Sequence, residues 1–379
     1  MSSTDSPPPG PSPDLPPDLS SGLSSGLSSG LSSLRTQNAA RVLDLLRTAG
    51  AEGISRLELA ERAGLTPQAV SKITARLRAE GLVAEAGRRA STGGKPRTVL
   101  RLVPGAGSAV GLHLDRDALT AVAVDLAGAP LAERRAPLAF AAGAEAVVDT
   151  AVREVSALLD ATGVMPFGVG VALPGPLDHA TGVLHRVTGF PEWDGFPLRD
   201  VLARRLGLPV VVDKDTNAAA LGLALAGATW SFAYLHVGTG LGAGLVLGGE
   251  VHRGARTGAG EFGHQVVQLD GPLCGCGNRG CVEALCLAAV AAGAPVEAAR
   301  VLGEGAANLV GLLDVDLVLV GGRTVSADPE LYVRGVDAVL AARARRVGGP
   351  PVEVRAVDGD RAVREGAVWL VLAPLFGRG

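Results

Sequence analysis

The chain has 379 residues, of which 47% are hydrophobic and 3% aromatic, with a formal net charge of −3. That length exceeds one ordinary hydrophobic core and predicts two or three domains, while so few aromatic side chains argue against a base-stacking surface for single-stranded nucleic acid. No uninterrupted apolar run reaches about 18 residues, so no membrane partner is expected, and the N-terminus lacks the basic start and apolar core of a secretory leader, which favours a cytoplasmic protein.

The charge and composition change sharply along the chain. Residues 1–33 are rich in Pro and Ser and contain the sequence SSGL three times, so we predict a disordered tail. The next segment, 34–104, carries 13 Arg and Lys against 6 Asp and Glu. A compact basic segment attached to a more acidic body is typical of a module that binds a polyanion.

Three short amphipathic helices are predicted in this basic segment, followed by two strand-like runs around a Gly-rich basic loop. The first helix ends at Gly50, and the second runs from Ser55, a predicted N-cap, to Gly64. The third begins at the Thr66 cap and ends at Gly81, with apolar residues at helical spacing on its buried side. Helix, helix–turn–helix and hairpin in this order predict a winged helix-turn-helix.

The third helix and the hairpin loop are predicted to contact double-stranded DNA. Polar and basic side chains near the start of such a helix reach base edges and phosphates in the major groove, and a basic loop suits phosphates or the minor groove. The alternative is a helical bundle with a solvated charged face, but the local positive charge favours DNA. The predicted DNA-binding residues are Gln68, Ser71, Lys72, Thr74, Arg76, Arg88, Arg89, Lys95 and Arg97.

From residue 108 onward strands alternate with helices, and a Cys-rich motif stands out in this α/β body. His264, Cys274, Cys276 and Cys281 offer one imidazole and three thiolates, which is the ligand set of a closed tetrahedral zinc site. A reducing compartment favours a metal over a disulfide. Four protein ligands leave no open position for water, so we predict a structural Zn²⁺. Cys286 lies outside the cluster and is predicted to be a core residue.

The segments GEFGH and CGCGNRGCVE resemble the paired signature of the ROK family (repressor, ORF, kinase), which comprises sugar kinases and sugar-responsive repressors. The segments GVGVALPGPLD, DKDTNAAALG, GTGLGAG and STGGKPR extend the resemblance over 34–379. The resemblance implies an α/β chain in which an N-terminal winged helix-turn-helix precedes a two-lobed actin-like ATPase fold of the ROK sugar-kinase type. The predicted domains are 1–33, 34–104 and 105–379, with the zinc motif at 261–283.

The resemblance also implies a sugar site and the loss of a nucleotide site. The residues matching the sugar-binding positions of the family are Asp215, at the catalytic base, Asn217, Glu261, His264 and Glu283. Where kinases of the family have a pattern like DIGGTK, this chain has GLHLDRD: His113 replaces the magnesium-handling aspartate, and Asp115 and Arg116 replace the glycines. Further departures are Gly189 and Lys214, each in place of an asparagine, and Ala243 in place of a glycine.

These features predict a transcriptional regulator rather than an enzyme, with Asp215 as a vestigial base. The expected partners are an operator in double-stranded DNA, a sugar or sugar-phosphate effector, and further copies of the chain in a homodimer or homotetramer. Two alternatives remain open at this point. One is an active ATP-dependent sugar kinase with a fused DNA-binding domain, and the other is a ligand-independent DNA-binding protein that keeps the zinc lobe as an oligomerisation scaffold.

Overall fold

The computed structural model describes residues 37–91, 94–187 and 190–378. The predicted tail at 1–33 and Gly189 lie outside the described residues, as do the side chains of Arg89 and Lys95. Within the described ranges, no helix is both long enough and apolar enough to cross a membrane.

The N-terminal segment folds as the predicted winged helix-turn-helix. Ser55 and Glu58 form a reciprocal capping box at the second helix, and Thr66 accepts a hydrogen bond from the backbone N–H of Ala69 at the third. The hairpin gains a third, two-residue strand that sequence patterning does not reveal, giving the antiparallel order β1-β3-β2. The elements are α1 (Gln37–Thr48), β1 (Ile54–Ser55), α2 (Arg56–Ala63), α3 (Pro67–Ala79), β2 (Val83–Ser91) and β3 (Gly94–Leu102).

The first lobe of the body contains a five-stranded mixed sheet in the order β10-β7-β4-β5-β6. Its strands β4, β5 and β6 pair antiparallel, whereas β7 and β10 run parallel to β4. The elements are β4 (Ser108–Leu114), β5 (Ala118–Asp125), β6 (Pro130–Pro137), α4 (Ala144–Thr162), β7 (Val169–Leu173), β8 (Leu177–Asp178), β9 (Val183–Leu184), α5 (Leu198–Leu206), β10 (Val210–Lys214) and α6 (Asp215–Leu225).

The second lobe repeats the topology of the first, with a sheet in the order β13-β12-β11-β14-β15. Again the first three strands pair antiparallel and the last two add in parallel. This repetition agrees with the predicted two-lobed architecture. The elements are β11 (Phe232–Val237), β12 (Leu241–Leu247), β13 (Glu250–Val251), α7 (Val282–Ala291), α8 (Pro295–Leu313), β14 (Leu317–Gly321), α9 (Arg323–Ala327), α10 (Pro329–Val347), β15 (Glu353–Ala356) and α11 (Gly359–Leu372).

Helix α11 lies between the lobes and packs against both α6 and the strands β4 and β7. The contact with α6 is backbone to backbone, because a Cβ on Gly366 would fall 1.8 Å from the carbonyl oxygen of Ala218. A Cβ on Gly170 of β7 would likewise meet the Ala367 carbonyl at 1.9 Å. Glycine at these positions therefore lets α11 lie directly on its neighbours.

The winged helix is joined to the body through α1 and the helical turn that follows α11, Ala373–Phe376. Asp44 of α1 accepts hydrogen bonds from Arg47, at 2.7 Å, and from Arg378, at 3.1 Å. The Arg47 guanidinium also lies over the rings of Trp369 and Phe376, at 5.0 and 5.3 Å. The cores of the two domains are continuous across this junction.

Candidate functional site

A polar cavity of about 110 Å³ lies in the cleft between the two lobes. Its walls come from the turn after β4, the junction of β10 and α6, the turn between β11 and β12, the loop before His264 and the start of α7. Strand ends of both sheets converge here, which is where α/β proteins commonly bind ligands. The chemically functional side chains in its lining are Asp115, Arg116, Lys214, Asp215, Thr216, His236, Thr239, Glu261, His264 and Glu283.

Four of the five predicted sugar-binding residues line this cavity, namely Asp215, Glu261, His264 and Glu283. Asn217 does not line the cavity and lies beneath its wall instead. Its side chain is fully buried, and its amide nitrogen donates to Asp213 Oδ1 at 2.8 Å. Asp213 is itself fully buried and needs hydrogen-bond donors, and Asn217 supplies one of them beneath the cavity.

Asp215 stands at the first position of α6 with its carboxylate at the cavity wall. Its Oδ1 atom accepts a hydrogen bond from the backbone N–H of Thr216 at 2.7 Å. Burial raises the pKa of Asp215, although the nearby His236 and His113 oppose that shift. Burial lowers the pKa of His113, which keeps this imidazole neutral near pH 7. The Asp215 carboxylate therefore lies near the neutral imidazole of His113 and can accept a hydrogen bond from a ligand hydroxyl.

Lys214 and His236 also line the cavity, and sequence reasoning did not predict either as a ligand residue. The Lys214 ammonium is buried and donates to the Ala259 carbonyl at 2.5 Å and to Glu261 Oε1 at 3.2 Å. His236 Nδ1 lies 2.8 Å from the Tyr234 hydroxyl. For Lys214, the replacement of an asparagine of the family pattern was a signal in the sequence. For the second, the only signal is that Tyr234 and His236 share one face of β11.

Glu283, near the start of α7, connects that helix to the glycine-rich turn. Its Oε2 atom accepts a hydrogen bond from the backbone N–H of Leu241 at 2.8 Å. The remaining carboxylate oxygen is 3.9 Å from Cys274 Sγ. Glu283 thus touches the cavity, the β11–β12 turn and the Cys-rich loop.

The predicted metal ligands come together beside the cavity. The ligand atoms of His264, Cys274, Cys276 and Cys281 all lie within 4.8 Å of one another. Cys276 and Cys281 Sγ are 3.8 Å apart, and Cys274 Sγ is 3.7 Å from His264 Nδ1. A tetrahedral zinc with bonds of about 2.3 Å to sulfur requires thiolates about 3.8 Å apart, so these four side chains fit such an ion. Cys286 is buried in the core of the second lobe, as predicted.

His264 belongs to both the metal cluster and the cavity wall. The loop around it is compact, since a Cβ on Gly280 would fall 1.6 Å from the Gln268 carbonyl oxygen and Gly280 has a φ of 65°. His264 therefore connects the cluster directly to the cavity wall.

The third helix and the hairpin present most of the predicted DNA-binding residues to solvent. Gln68, Ser71 and Lys72 are exposed on α3, and Arg88 and Arg97 are exposed on the hairpin. Thr74 is a correction, because it is fully buried and its hydroxyl donates to the Val70 carbonyl at 2.8 Å. The prediction placed Thr74 on the exposed face of α3, whereas it lies on the face that packs against the core. Arg76 is half-buried.

Comparison with known proteins agrees with this arrangement. The model of the ROK family matches residues 109–292, and a model of winged helix-turn-helix DNA-binding domains matches residues 40–84. The chain belongs to the ROK family. The lobes, cavity and Cys/His cluster described above are therefore those of a ROK domain, which follows a winged helix-turn-helix.

Several ROK proteins resemble this chain over much of its length. It is 28% identical over 372 residues to a putative xylose repressor from Caldicellulosiruptor sp., covering 85% of this chain and 92% of that protein. It is 30% identical over 261 residues to the DNA-binding transcriptional dual regulator NagC from Escherichia coli, covering 65% and 62%.

Solved ROK structures share the fold. A ROK hexokinase from Thermus thermophilus matches with a TM-score of 0.59 and 31% identity, covering 69% of this chain and 97% of that chain. A ROK transcriptional regulator homologous to the E. coli MLC protein matches with a TM-score of 0.72 over 89% of this chain and 96% of that chain. Its identity of 23% supports the fold alone.

Proposed function

We propose that this protein is a DNA-binding transcriptional regulator, acting as a repressor of carbohydrate genes, whose operator affinity is modulated by a sugar or sugar phosphate. The observation that carries the proposal is the combination of two features in one chain. The winged helix exposes Gln68, Ser71 and Lys72, and the body holds a cavity lined by polar side chains. The two relatives named as xylose repressors align with 85% of this chain, which supports the proposal.

The chemistry of the cavity suits a polyhydroxylated ligand. Asp215, Glu261 and Glu283 supply carboxylate acceptors, whereas Lys214 and His236 supply nitrogen groups. A site that matches each hydroxyl with a buried partner discriminates strongly among sugars, because a missing hydroxyl leaves a buried polar group unpaired.

The domain is proposed to be a catalytically inactive relative of the sugar kinases. The turn after β4 carries Asp115, Arg116 and Asp117, whose side chains obstruct a close approach of nucleotide phosphates to the backbone. Asp215 is retained with a raised pKa, and the turn at 238–240 keeps its glycines. These two retained features favour the second candidate, an active sugar kinase with a fused DNA-binding domain, and the experiment below separates the two.

A structural Zn²⁺ is proposed at His264, Cys274, Cys276 and Cys281. The ion would fix the Cys-rich loop against the start of α7 and hold the His264 ring in the cavity wall. Zinc would thereby preorganise the sugar cavity. A palindromic operator requires two copies of the winged helix, so the functional unit is proposed to be a homodimer or homotetramer.

The test is a thermal-shift and calorimetric screen of the purified protein against D-xylose, D-glucose, N-acetyl-D-glucosamine and their phosphates, with and without Mg-ATP. Binding without ATP dependence, followed by an altered affinity for promoter DNA, supports the regulator. Binding that requires ATP and yields ADP supports the kinase. Absence of any sugar binding contradicts both and leaves a ligand-independent DNA-binding protein.

The matched control in this screen is a pair of variants. Glu261→Gln removes a carboxylate in the cavity, whereas Glu304→Gln changes a carboxylate of α8 outside it. Only the first substitution should weaken sugar binding.

A further inference from the structure

One ion-pair cluster spans the cleft on the side of the turn after β4. Arg323, the first residue of α9 in the second lobe, donates to both carboxylate oxygens of Asp117, at 2.9 and 3.0 Å. The same guanidinium donates to Asp115 Oδ2. Arg323 is 206 positions from Asp117 in the chain, so these bonds connect the two sheets rather than neighbouring turns.

The geometry of this cluster exceeds that of an ordinary surface ion pair. The contact with Asp117 is bidentate, which gives direction as well as attraction. Hydrogen bonding from Arg323 holds the pKa of Asp117 below its usual range, and the two carboxylates in turn raise the pKa of Arg323. Asp117 and Arg323 are therefore both ionised in the neutral range, although their partial exposure makes the pair sensitive to salt.

The turn held by Arg323 also carries a residue of the cavity wall. Arg116 lies between Asp115 and Asp117 and lines the cavity. Its guanidinium stands 5.4 Å from the centre of the Phe190 ring, and its Nη2 atom would lie 3.8 Å from a Cβ built on Gly240 of the opposite lobe. Among the described residues, no carboxylate lies within ion-pair distance of Arg116, so its charge at the cavity wall is not neutralised by a protein carboxylate.

The backbone of the turn restricts it further. The N–H of Arg116 donates to Asp115 Oδ1 at 2.7 Å, and the carbonyl of Arg116 accepts from Phe140 at 3.2 Å. These two bonds hold the backbone at Arg116 within its own lobe. Only the bonds to Arg323 connect this turn by side-chain ion pairs to the opposite lobe within the described ranges.

We propose that Arg323 is a positioning residue for the sugar cavity: it holds the Asp115–Asp117 turn across the cleft and thereby keeps Arg116 in the cavity wall without any nucleotide. This inference rests on the proposed function, since it assumes that the cavity binds a sugar. It adds that the arrangement of the cavity depends on an ion cluster outside it, and that sugar affinity should respond to ionic strength through Arg323.

The first measurement needs no ligand. Hydrogen–deuterium exchange of the backbone amides at 114–119 is compared among the full-length wild type, Arg323→Gln, Asp117→Asn and the control Arg355→Gln. Arg355 pairs with Glu353 on its own strand in the same lobe, so this control loses a similar ion pair that does not cross the cleft. Exchange should accelerate in Arg323→Gln and Asp117→Asn by about threefold to tenfold and stay unchanged in Arg355→Gln.

The second measurement is the Kd for whichever of D-xylose, D-glucose or N-acetyl-D-glucosamine binds the wild type, taken between about 0.05 and 0.5 M NaCl. Arg323→Gln should bind about threefold to tenfold more weakly at low salt, and its Kd should depend less on salt than that of the wild type. Arg323→Lys keeps the charge without the bidentate geometry and should restore part of the affinity. A merely structural role would lower the melting temperature without changing the salt dependence.

The outcomes separate this inference from the proposed function. Unchanged exchange in Arg323→Gln overturns the inference whether or not a sugar binds. Faster exchange with an unchanged Kd also overturns it, because the turn would then move without affecting the cavity. A wild type that binds none of the sugars overturns the proposed function and with it the role in sugar binding, while the exchange data still decide whether Arg323 holds the turn.

Discussion

Asp215 illustrates how a binding residue can oppose stability. Its carboxylate is enclosed by the cavity walls, and burial raises its pKa, which means that the folded protein disfavours the charged form. By linkage, the stability that this carboxyl group contributes is present below its unfolded pKa of about 3.9 and is lost as the pH rises through the folded value.

We therefore expect Asp215→Asn to raise the melting temperature near pH 7 and to lose that advantage as the pH falls towards 4. The same substitution should weaken sugar binding about tenfold or more, because a charged hydrogen-bond acceptor is removed. Thermal unfolding across this pH range and calorimetry at pH 7 measure the two effects. A variant that is less stable than the wild type at neutral pH would contradict the raised pKa.

Lys72 is an exposed cation of α3 and is proposed to contact a phosphate or a base edge. Lys72→Ala should weaken DNA binding about fivefold to tenfold and lower the salt dependence of binding by about one ion. Arg334→Ala, on α10 in the body, is the matched control and should change neither quantity. Fluorescence anisotropy with promoter DNA at several salt concentrations provides the test; equal losses in both variants would indicate a nonspecific charge effect.

Residue identity predicted some positions of the site and failed at others for a physical reason. Asp215, Glu261, His264 and Glu283 were predicted from their motifs and do line the cavity. Asn217 was assigned by the same reasoning, but its amide nitrogen donates a hydrogen bond to the buried Asp213 beneath the cavity. The need of a buried carboxylate for hydrogen-bond donors depends on which residues become buried together, and the local sequence does not reveal that.

At the scale of the elements, we expect the loop with the Cys/His cluster to depend on the four side chains that would bind zinc. Cys276→Ser should lower the bound zinc from about one per chain to near zero, lower the melting temperature by about 5 °C or more, and weaken sugar binding through His264. Cys286→Ala leaves the four ligands intact and should keep its zinc. Elemental analysis and thermal unfolding measure these effects, and a Cys276→Ser protein that keeps stoichiometric zinc would contradict the ligand set.

Element boundaries in the winged helix followed from caps that the sequence displays. Ser55 and Thr66 cap α2 and α3 as predicted, because a hydroxyl followed by a helical stripe satisfies the first N–H groups locally. Strand β1 was missed, since two residues carry no periodicity and pair only with the distant β3. The junction of α1 with the turn after α11 was equally invisible, because it joins opposite ends of the described chain.

At the scale of the whole molecule, α11 is the element that connects both lobes to the winged helix. It packs against α6 and the sheet of the first lobe, contacts β14 of the second, and continues into the turn on which α1 rests. A relative movement of the lobes would therefore change the position of the winged helix through α11. Linkage then requires that a sugar favouring one arrangement changes DNA affinity by the same factor as DNA changes sugar affinity.

Asp44 offers a way to weaken this coupling without touching either site. Asp44→Asn removes the charge that pairs with both Arg47 and Arg378 at the junction. Sugar and DNA should each still bind within about threefold of wild type, while the sugar-dependent change in DNA affinity should fall by about half or more. DNA titrations with and without saturating sugar give this factor, and Glu330→Gln on α10 is the control. An undiminished factor would place the coupling elsewhere.

The ion pair between Asp44 and Arg378 joins residues 334 positions apart. A ribosome adding about 5 to 20 residues per second would need roughly 17 to 70 s to travel between them. During that interval the DNA-binding helices lack their support from the body, because the turn on which α1 packs has not been synthesised. A nascent chain in this window would lack the junction between the winged helix and the body, so the two could not yet be coupled through it.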